Sequence, residues 1–149
     1  MYSIGQVSEM FGIPVSTLRY YDKEGLFPNL ERSGSTRRFG EGELELLRVI
    51  DCLKKTGLEI RDIKRFVDMV QEGPSTYAAR KELFEARKVQ AEEEIERMQK
   101  ALAMVKFKCW YYETAQKTGT IETPKNLPLE QVPEPLRAIR LELSQPPEK

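Results

Sequence analysis

Hydrophobic residues in the first 73 positions recur at intervals of three to four, the spacing typical of short amphipathic helices. Ser3 and Gln6 make a capping-box pattern that opens the first helix, and a Gly-Ile-Pro sequence ends it. A second helix is predicted from about Val15 to Glu24, closed by Gly25. Two short helices separated by a tight turn have the dimensions of a helix-turn-helix.

The pattern then changes to two short extended pieces within residues 28–39, around a Ser-Gly-Ser turn at residues 33–35. This arrangement predicts a β-hairpin wing. Two more amphipathic helices follow, one within residues 44–57 and one within residues 60–70. Residues 1–73 are therefore predicted to form a winged helix-turn-helix domain.

After a Glu-Gly-Pro-Ser break at residues 72–75, a helical pattern runs without interruption over residues 76–115. Its first half is irregular because Lys81 and Lys88 interrupt the apolar stripe. Its second half is a regular seam with the 3.5-residue period of a coiled coil. The seam comprises Ala91, Ile95, Met98, Leu102, Val105, Cys109 and Tyr112. A helix of about 40 residues spans about 60 Å, so it needs a partner helix, and self-association is the economical answer. The alternative is packing on the C-terminal segment.

These patterns divide the 149-residue chain into a winged helix-turn-helix domain (1–73), a dimerisation helix (74–117) and a proline-rich tail (118–149). The tail is predicted to contain one short helix over about 136–143. The fold class is mainly α: a winged helix-turn-helix followed by a long coiled-coil helix. No membrane span or signal peptide is recognisable, and the sequence predicts a cytoplasmic protein.

The amino-acid composition restricts the kinds of chemical site that the chain can form. The chain has no histidine, and its two cysteines, Cys52 and Cys109, lie far apart in the sequence. This pattern predicts no metal site, no disulfide framework, no cofactor and no catalytic residues. The net charge is zero, so any nucleic-acid-binding charge has to be local.

Local charge is found in the segment STLRYYDKEGLFP, which covers residues 16–28. With Leu18 facing inward, the helical period places Tyr21 and Asp22 near it. The opposite face carries Ser16, Arg19, Tyr20 and Lys23, whose groups suit a phosphate backbone and base edges. The wing adds Arg32, Arg37 and Arg38, with only Glu31 opposing them nearby in the sequence. A solvated helix face beside an arginine-bearing loop is the alternative.

These motifs, together with LLRVIDCLKKTGLEI and the long coil, resemble the MerR family of bacterial transcription regulators over residues 1 to about 115. The resemblance implies an antiparallel homodimer that distorts double-stranded promoter DNA so that RNA polymerase can use it. By position it implies DNA contacts from Ser16, Thr17, Arg19, Tyr20, Tyr21, Arg32 and Arg37. The family's wing pattern is Arg-x-Tyr, whereas this chain has Phe39 and lacks that hydroxyl.

The inducing signal is less directly indicated. The chain lacks the thiolates of metal-sensing and iron–sulfur members, and its tail is too short for a multidrug-binding domain. It resembles the short aldehyde- and electrophile-responsive group of NmlR and AdhR, which carries a cysteine in the helix after the wing. Here that residue is Cys52, and Arg48 and Lys55 on the same side would favour its thiolate.

Other functions remain open at the level of sequence. An aromatic cluster of Phe107, Trp110 and Tyr111, with Tyr112 beside it, could form an effector pocket, or simply mark where the coil caps the domain. A coiled-coil adaptor without specific DNA binding would not require the wing arginines. A thiol enzyme using Cys52 would need a base other than histidine.

Overall fold

The computed structural model describes residues 1–146, so the last three residues of the predicted tail lie outside the described part. The chain separates into two compact units, Met1–Lys88 and the residues from Val89 onward. Within residues 1–146, no helix combines the length and apolar content needed to cross a bilayer.

The first unit begins with the predicted helix-turn-helix. Helix α1 spans Ile4–Phe11, and the capping box is confirmed, because Ser3 N donates to Gln6 Oε1 at 2.8 Å and Gln6 N donates to Ser3 Oγ at 3.3 Å. Helix α2 spans Val15–Lys23 and is followed by Gly25. Gly25 has a φ of 77°, a left-handed conformation that suits glycine and ends the helix.

A three-stranded antiparallel sheet lies beside these helices, in the order β1 (Tyr2–Ser3), β3 (Thr36–Phe39), β2 (Glu31–Ser33). Strands β2 and β3 form the predicted wing, with the turn at residues 34–35. Strand β1, which the sequence did not indicate, pairs Tyr2 with Phe39. The sheet therefore ties the base of the wing to the start of the chain.

Helices α3 (Glu41–Lys55) and α4 (Ile60–Glu72) complete the packing of this unit. Their apolar stripes meet those of α1 and α2 in one core, as the three-to-four periodicity predicts. The core includes Val7, Leu18, Tyr21, Leu26, Phe27, Phe39, Leu44, Leu47, Ile50, Leu53, Leu58, Ile63, Val67 and Leu83.

Helix α5 spans Tyr77–Thr118, and its first three turns belong to this unit. Leu83 enters the core, and Phe84 packs edge-on against Phe66 with ring centroids 5.5 Å apart. Arg80 Nη2 donates to the carbonyls of Met69 and Gly73, at 2.9 and 3.0 Å. Arg87 Nε donates to the Thr56 carbonyl at 2.6 Å. The irregular first half of the helix thus packs on its own chain, which explains why the coiled-coil period is poor there.

The second unit contains the rest of α5, then α6 (Glu122–Asn126), a 3₁₀ turn (Leu129–Gln131) and α7 (Glu134–Leu143). Its buried side chains are Phe107 of α5 with Pro124, Val132 and Ile139 of the C-terminal segment. The C-terminal segment thus contains more regular structure than the single helix that the sequence predicts. Arginines hold its backbone: Arg140 Nη1 donates to the Pro124 carbonyl at 3.0 Å, and Arg137 Nε to the Val132 carbonyl at 2.9 Å.

Candidate nucleic-acid interface

Helix α2 presents a polar face to solvent. Leu18 is fully buried, whereas Ser16, Arg19, Tyr20 and Lys23 are exposed, as the helical period predicts. Thr17 is half-buried at the edge of this face. A hydroxyl, a guanidinium, a phenol and an ammonium therefore share one exposed surface, which can donate hydrogen bonds to phosphates and base edges.

The two adjacent tyrosines have different environments. Tyr20 is exposed, whereas Tyr21 is 8% exposed and belongs to the core. Burial raises the pKa of Tyr21, and the nearby carboxylate of Asp51 raises it further. The Tyr21 hydroxyl therefore stays protonated at physiological pH. Its ring lies with the core residues rather than on the exposed face that carries Arg19.

The wing arginines are bonded to α2. Arg32 and Arg37 are cross-strand partners, and both donate to Oδ2 of Asp22, from Nη2 at 2.8 Å and from Nε at 2.7 Å. The Asp22 side chain is only 7% exposed. Glu31 is therefore not the only carboxylate that opposes the wing cations, because Asp22 is remote from them in sequence but adjacent in the fold. These bonds join α2 and the wing into one surface, hereafter the reading surface. It comprises Ser16, Thr17, Arg19, Tyr20 and Lys23 of α2 with Arg32 and Arg37 of the wing.

Sequence reasoning missed the role of Asp22. The available signal was its position near Leu18 on the inward side of α2, where an unpaired carboxylate would be costly to bury. A buried acid in a basic neighbourhood indicates a partner cation, although the sequence does not tell which one. In the structure the partner cations are Arg32 and Arg37, which the hairpin register places opposite each other.

Phe39, at the end of β3, is fully buried and packs edge-on against Phe27, with ring centroids 5.4 Å apart. A tyrosine hydroxyl at this depth would need a hydrogen-bonding partner, whereas a phenylalanine needs none. The departure from the Arg-x-Tyr pattern is thus compatible with the core of this wing.

Residues 2–70 match the family described as MerR HTH family regulatory protein. An uncharacterized HTH-type transcriptional regulator of Haemophilus influenzae is 37% identical over 134 residues, covering 89% of this chain and 97% of that protein. The chain belongs to the MerR family of DNA-binding transcriptional regulators.

Solved structures of MerR-family proteins agree with this fold. HiNmlR, described as a MerR family regulator lacking the sensor domain and bound to promoter DNA, is 35% identical, with a TM-score of 0.64 over 81% of this chain and 97% of that chain. A MerR-family regulator from Listeria monocytogenes is 28% identical, with a TM-score of 0.67 over 97% of this chain and all of the other. The predicted fold class, a winged helix-turn-helix followed by a long helix, is confirmed. The matched relatives are transcription regulators, not enzymes.

In this MerR-family chain, Cys52 is exposed on α3, as is Cys109 on α5. The two cations expected beside Cys52 have other partners. Lys55 Nζ is paired with Asp51 Oδ2 at 2.7 Å, and the Arg48 guanidinium lies 5.8 Å from the centre of the Phe11 ring. Across the described residues, no three His, Cys, Asp or Glu side chains lie close enough to hold a metal ion.

The aromatic cluster lies in the second unit. Phe107 is buried, with its ring centroid 5.6 Å from that of Trp110 and 6.0 Å from that of Tyr111. The Tyr111 hydroxyl donates to the Ile121 carbonyl at 3.4 Å. The cluster thus packs with the C-terminal segment of its own chain, which is the alternative that the sequence offered for the long helix.

Proposed function

We propose that the chain is a homodimeric regulator that binds promoter DNA through the reading surface of each copy and distorts it for RNA polymerase in response to electrophilic stress. The observation that carries the proposal is the exposed polar face of α2, bonded to the wing through Asp22. HiNmlR, which shares this fold, is described as bound to promoter DNA. In this proposal residues 1–73 contact DNA and residues 74–117 dimerise.

The proposed contacts follow from the chemistry of the exposed groups. Arg19 is placed on the solvent face of α2 and can donate two hydrogen bonds to a guanine edge. Ser16, Thr17, Tyr20, Arg32 and Arg37 are assigned to phosphates and sugars, which fix the register on the duplex. The ring of Tyr21 supports α2 from the core, so only its hydroxyl is left for a DNA contact.

Arg19→Ala is expected to weaken binding to the promoter by about 1–3 kcal/mol, the value of a good base contact. The measurement is a titration of labelled promoter and of an unrelated duplex at fixed salt concentration. Arg65→Ala removes another exposed arginine of the same unit, 3.4 Å from Asp62, and is expected to change neither titration. Equal promoter affinity for wild type and Arg19→Ala would contradict the assignment.

Dimerisation is supported by the seam on α5. Five of its seven residues, Ile95, Met98, Leu102, Val105 and Tyr112, are each 50–70% exposed in the single chain. A continuous stripe of large apolar side chains on one helix face is costly to leave in water, and a second helix would cover it. An identical helix has a matching stripe.

One charge pair beside the seam fits an antiparallel arrangement. Glu94 flanks the first half of the seam, and Lys108 flanks the second half. Flanking charges help to set orientation in coiled coils. An antiparallel pair brings Glu94 of each copy opposite Lys108 of the other.

Cys52 is assigned as the sensor because its thiol is exposed on α3, within the unit that carries the reading surface. A thiolate attacks aldehydes, quinones and oxidants. Cys109 is equally exposed but lies on the proposed dimer seam. The chain therefore supplies its own control thiol.

Cys52→Ser is expected to abolish the response of a promoter–reporter fusion to formaldehyde, methylglyoxal and a quinone, because serine lacks the nucleophilic thiolate. Cys109→Ser is expected to respond like wild type. Both variants should bind the promoter in the absence of inducer as the parent does. A full response in Cys52→Ser, or none in wild type, would overturn the sensor assignment without affecting DNA binding.

A further inference from the structure

We infer that Asp22 is a positioning residue for sequence discrimination: its carboxylate holds Arg32 and Arg37 in one arrangement and restrains their attraction to DNA of any sequence. The inference rests on the proposed function, since it concerns how the reading surface selects a promoter. Asp22 itself is not proposed to contact DNA.

The geometry makes Asp22 the common partner of two cations. One carboxylate oxygen accepts from both arginines, and these arginines face each other across the two strands of the wing. Like charges directly opposite in a hairpin repel each other. Asp22 offsets that repulsion and draws both guanidinium groups towards α2.

The two arginines differ in how firmly they are held. The Arg37 side chain is 23% exposed and donates through Nε, whereas that of Arg32 is 55% exposed and donates through Nη2. Bonding through Nε orients the guanidinium plane of Arg37 and leaves its Nη groups for a ligand. Each guanidinium therefore keeps further N–H donors, and its bond to Asp22 on α2 fixes the direction in which those donors point.

Asp22 also changes the charge that DNA meets. Two arginines and one carboxylate leave a single net positive charge at this point of the surface. A free pair of arginines would attract any duplex more strongly, because non-specific affinity depends on the cations that reach phosphates. The carboxylate thus lowers the attraction of the wing to DNA of any sequence, and it also holds the arginine donors in one position. Both effects raise the preference for one sequence.

Other contacts hold the wing in place. Strand β3 pairs with β1 as well as with β2, and Phe39 is anchored in the core. Loss of the Asp22 carboxylate should therefore release two side chains without unfolding the hairpin. The effect of Asp22 on the position of the two arginines can therefore be measured apart from any effect on the stability of the wing.

The experiment compares wild type and Asp22→Asn in titrations of the promoter and of an unrelated duplex at several salt concentrations. For Asp22→Asn we expect tighter binding to the unrelated duplex, with a salt dependence steeper by about 0.9 in log–log slope for one additional phosphate contact. Promoter binding should weaken, so that the ratio of the two affinities falls by about tenfold, typical of one broken network. Circular dichroism should match that of wild type, and the thermal melt should remain a single cooperative transition.

Two further variants separate charge from geometry. Glu31→Gln makes the same change in charge on an exposed wing residue that is paired across the strands with Arg38. It should strengthen both kinds of binding and leave their ratio unchanged. Asp22→Glu keeps the charge but lengthens the side chain, so it should lower the ratio while the salt slope stays at the wild-type value.

Three results would overturn the inference. Asp22→Asn could behave like Glu31→Gln, which would reduce its role to charge. It could unfold, or lose both kinds of binding in proportion, which would reduce its role to stability. A wild-type protein with no preference for the promoter would overturn the proposed function and this inference together, whereas the first two results leave the proposed function intact.

Discussion

Leu102→Glu is expected to convert the protein from a dimer into a monomer. Leu102 is half exposed at the middle of the seam, where a second copy would bury it. A carboxylate there would lose much of its hydration in the interface, which is a large cost. Promoter affinity should fall by roughly a hundredfold to ten-thousandfold, because one reading surface would then bind without the avidity of the second.

Sedimentation velocity at micromolar concentration measures this change directly. Lys100→Gln alters the net charge by the same amount on the opposite face of α5 and should remain dimeric. A wild-type chain that sediments as a monomer would contradict the proposed dimer.

Cross-linking through single cysteines tests the orientation of the same dimer. The seam runs from residue 91 to residue 112, so an antiparallel pair would place residue 102 close to its own copy and residue 109 far from its own copy. Mild oxidation should therefore cross-link Leu102→Cys, in a background of Cys52→Ser and Cys109→Ser. The native Cys109 should not cross-link to its copy, as it would in a parallel pair.

Phe39→Ala is expected to lower the free energy of unfolding by about 3–5 kcal/mol, as buried phenylalanine truncations do. Phe39 is fully buried and loses both its edge-on contact with Phe27 and the core volume beneath the wing. Urea unfolding at one fixed protein concentration measures the loss, since the stability of a dimer would depend on concentration. Val49→Ala, on the exposed side of α3, should cost no more than about 0.5 kcal/mol.

A loss below about 1 kcal/mol for Phe39→Ala would show that the wing is not anchored through this ring. Phe39→Ala should also bind the promoter less tightly while still folded, because β3 carries Arg37 and ends at Phe39. Val49→Ala provides the comparison for that measurement as well.

Local patterns predicted much of this fold. The capping box of α1, the end of α2 at Gly25 and the wing turn depend on neighbouring residues, and the structure agrees with each. The opposite environments of Tyr20 and Tyr21 followed from the helical period alone. These features are set within a few residues of chain, where sequence patterns carry the relevant physics.

Features that depend on distant residues were not predictable in the same way. Strand β1 has two residues, too few for any alternation, and exists because β3 offers it an edge. The Asp22 pairs link residues 10 and 15 positions apart. The C-terminal segment has few apolar residues among its prolines, so its order depends on Phe107 of α5 and on arginine bonds to its backbone.

The burial of Phe107 has a consequence for stoichiometry. Phe107 lies on the side of α5 away from the seam, and a helix with two open apolar sides could recruit a neighbour on each and grow without limit. The C-terminal segment occupies one side from within the same chain. In the proposed dimer the seam is the surface that a second copy covers along this stretch, so assembly through α5 would not continue into a filament.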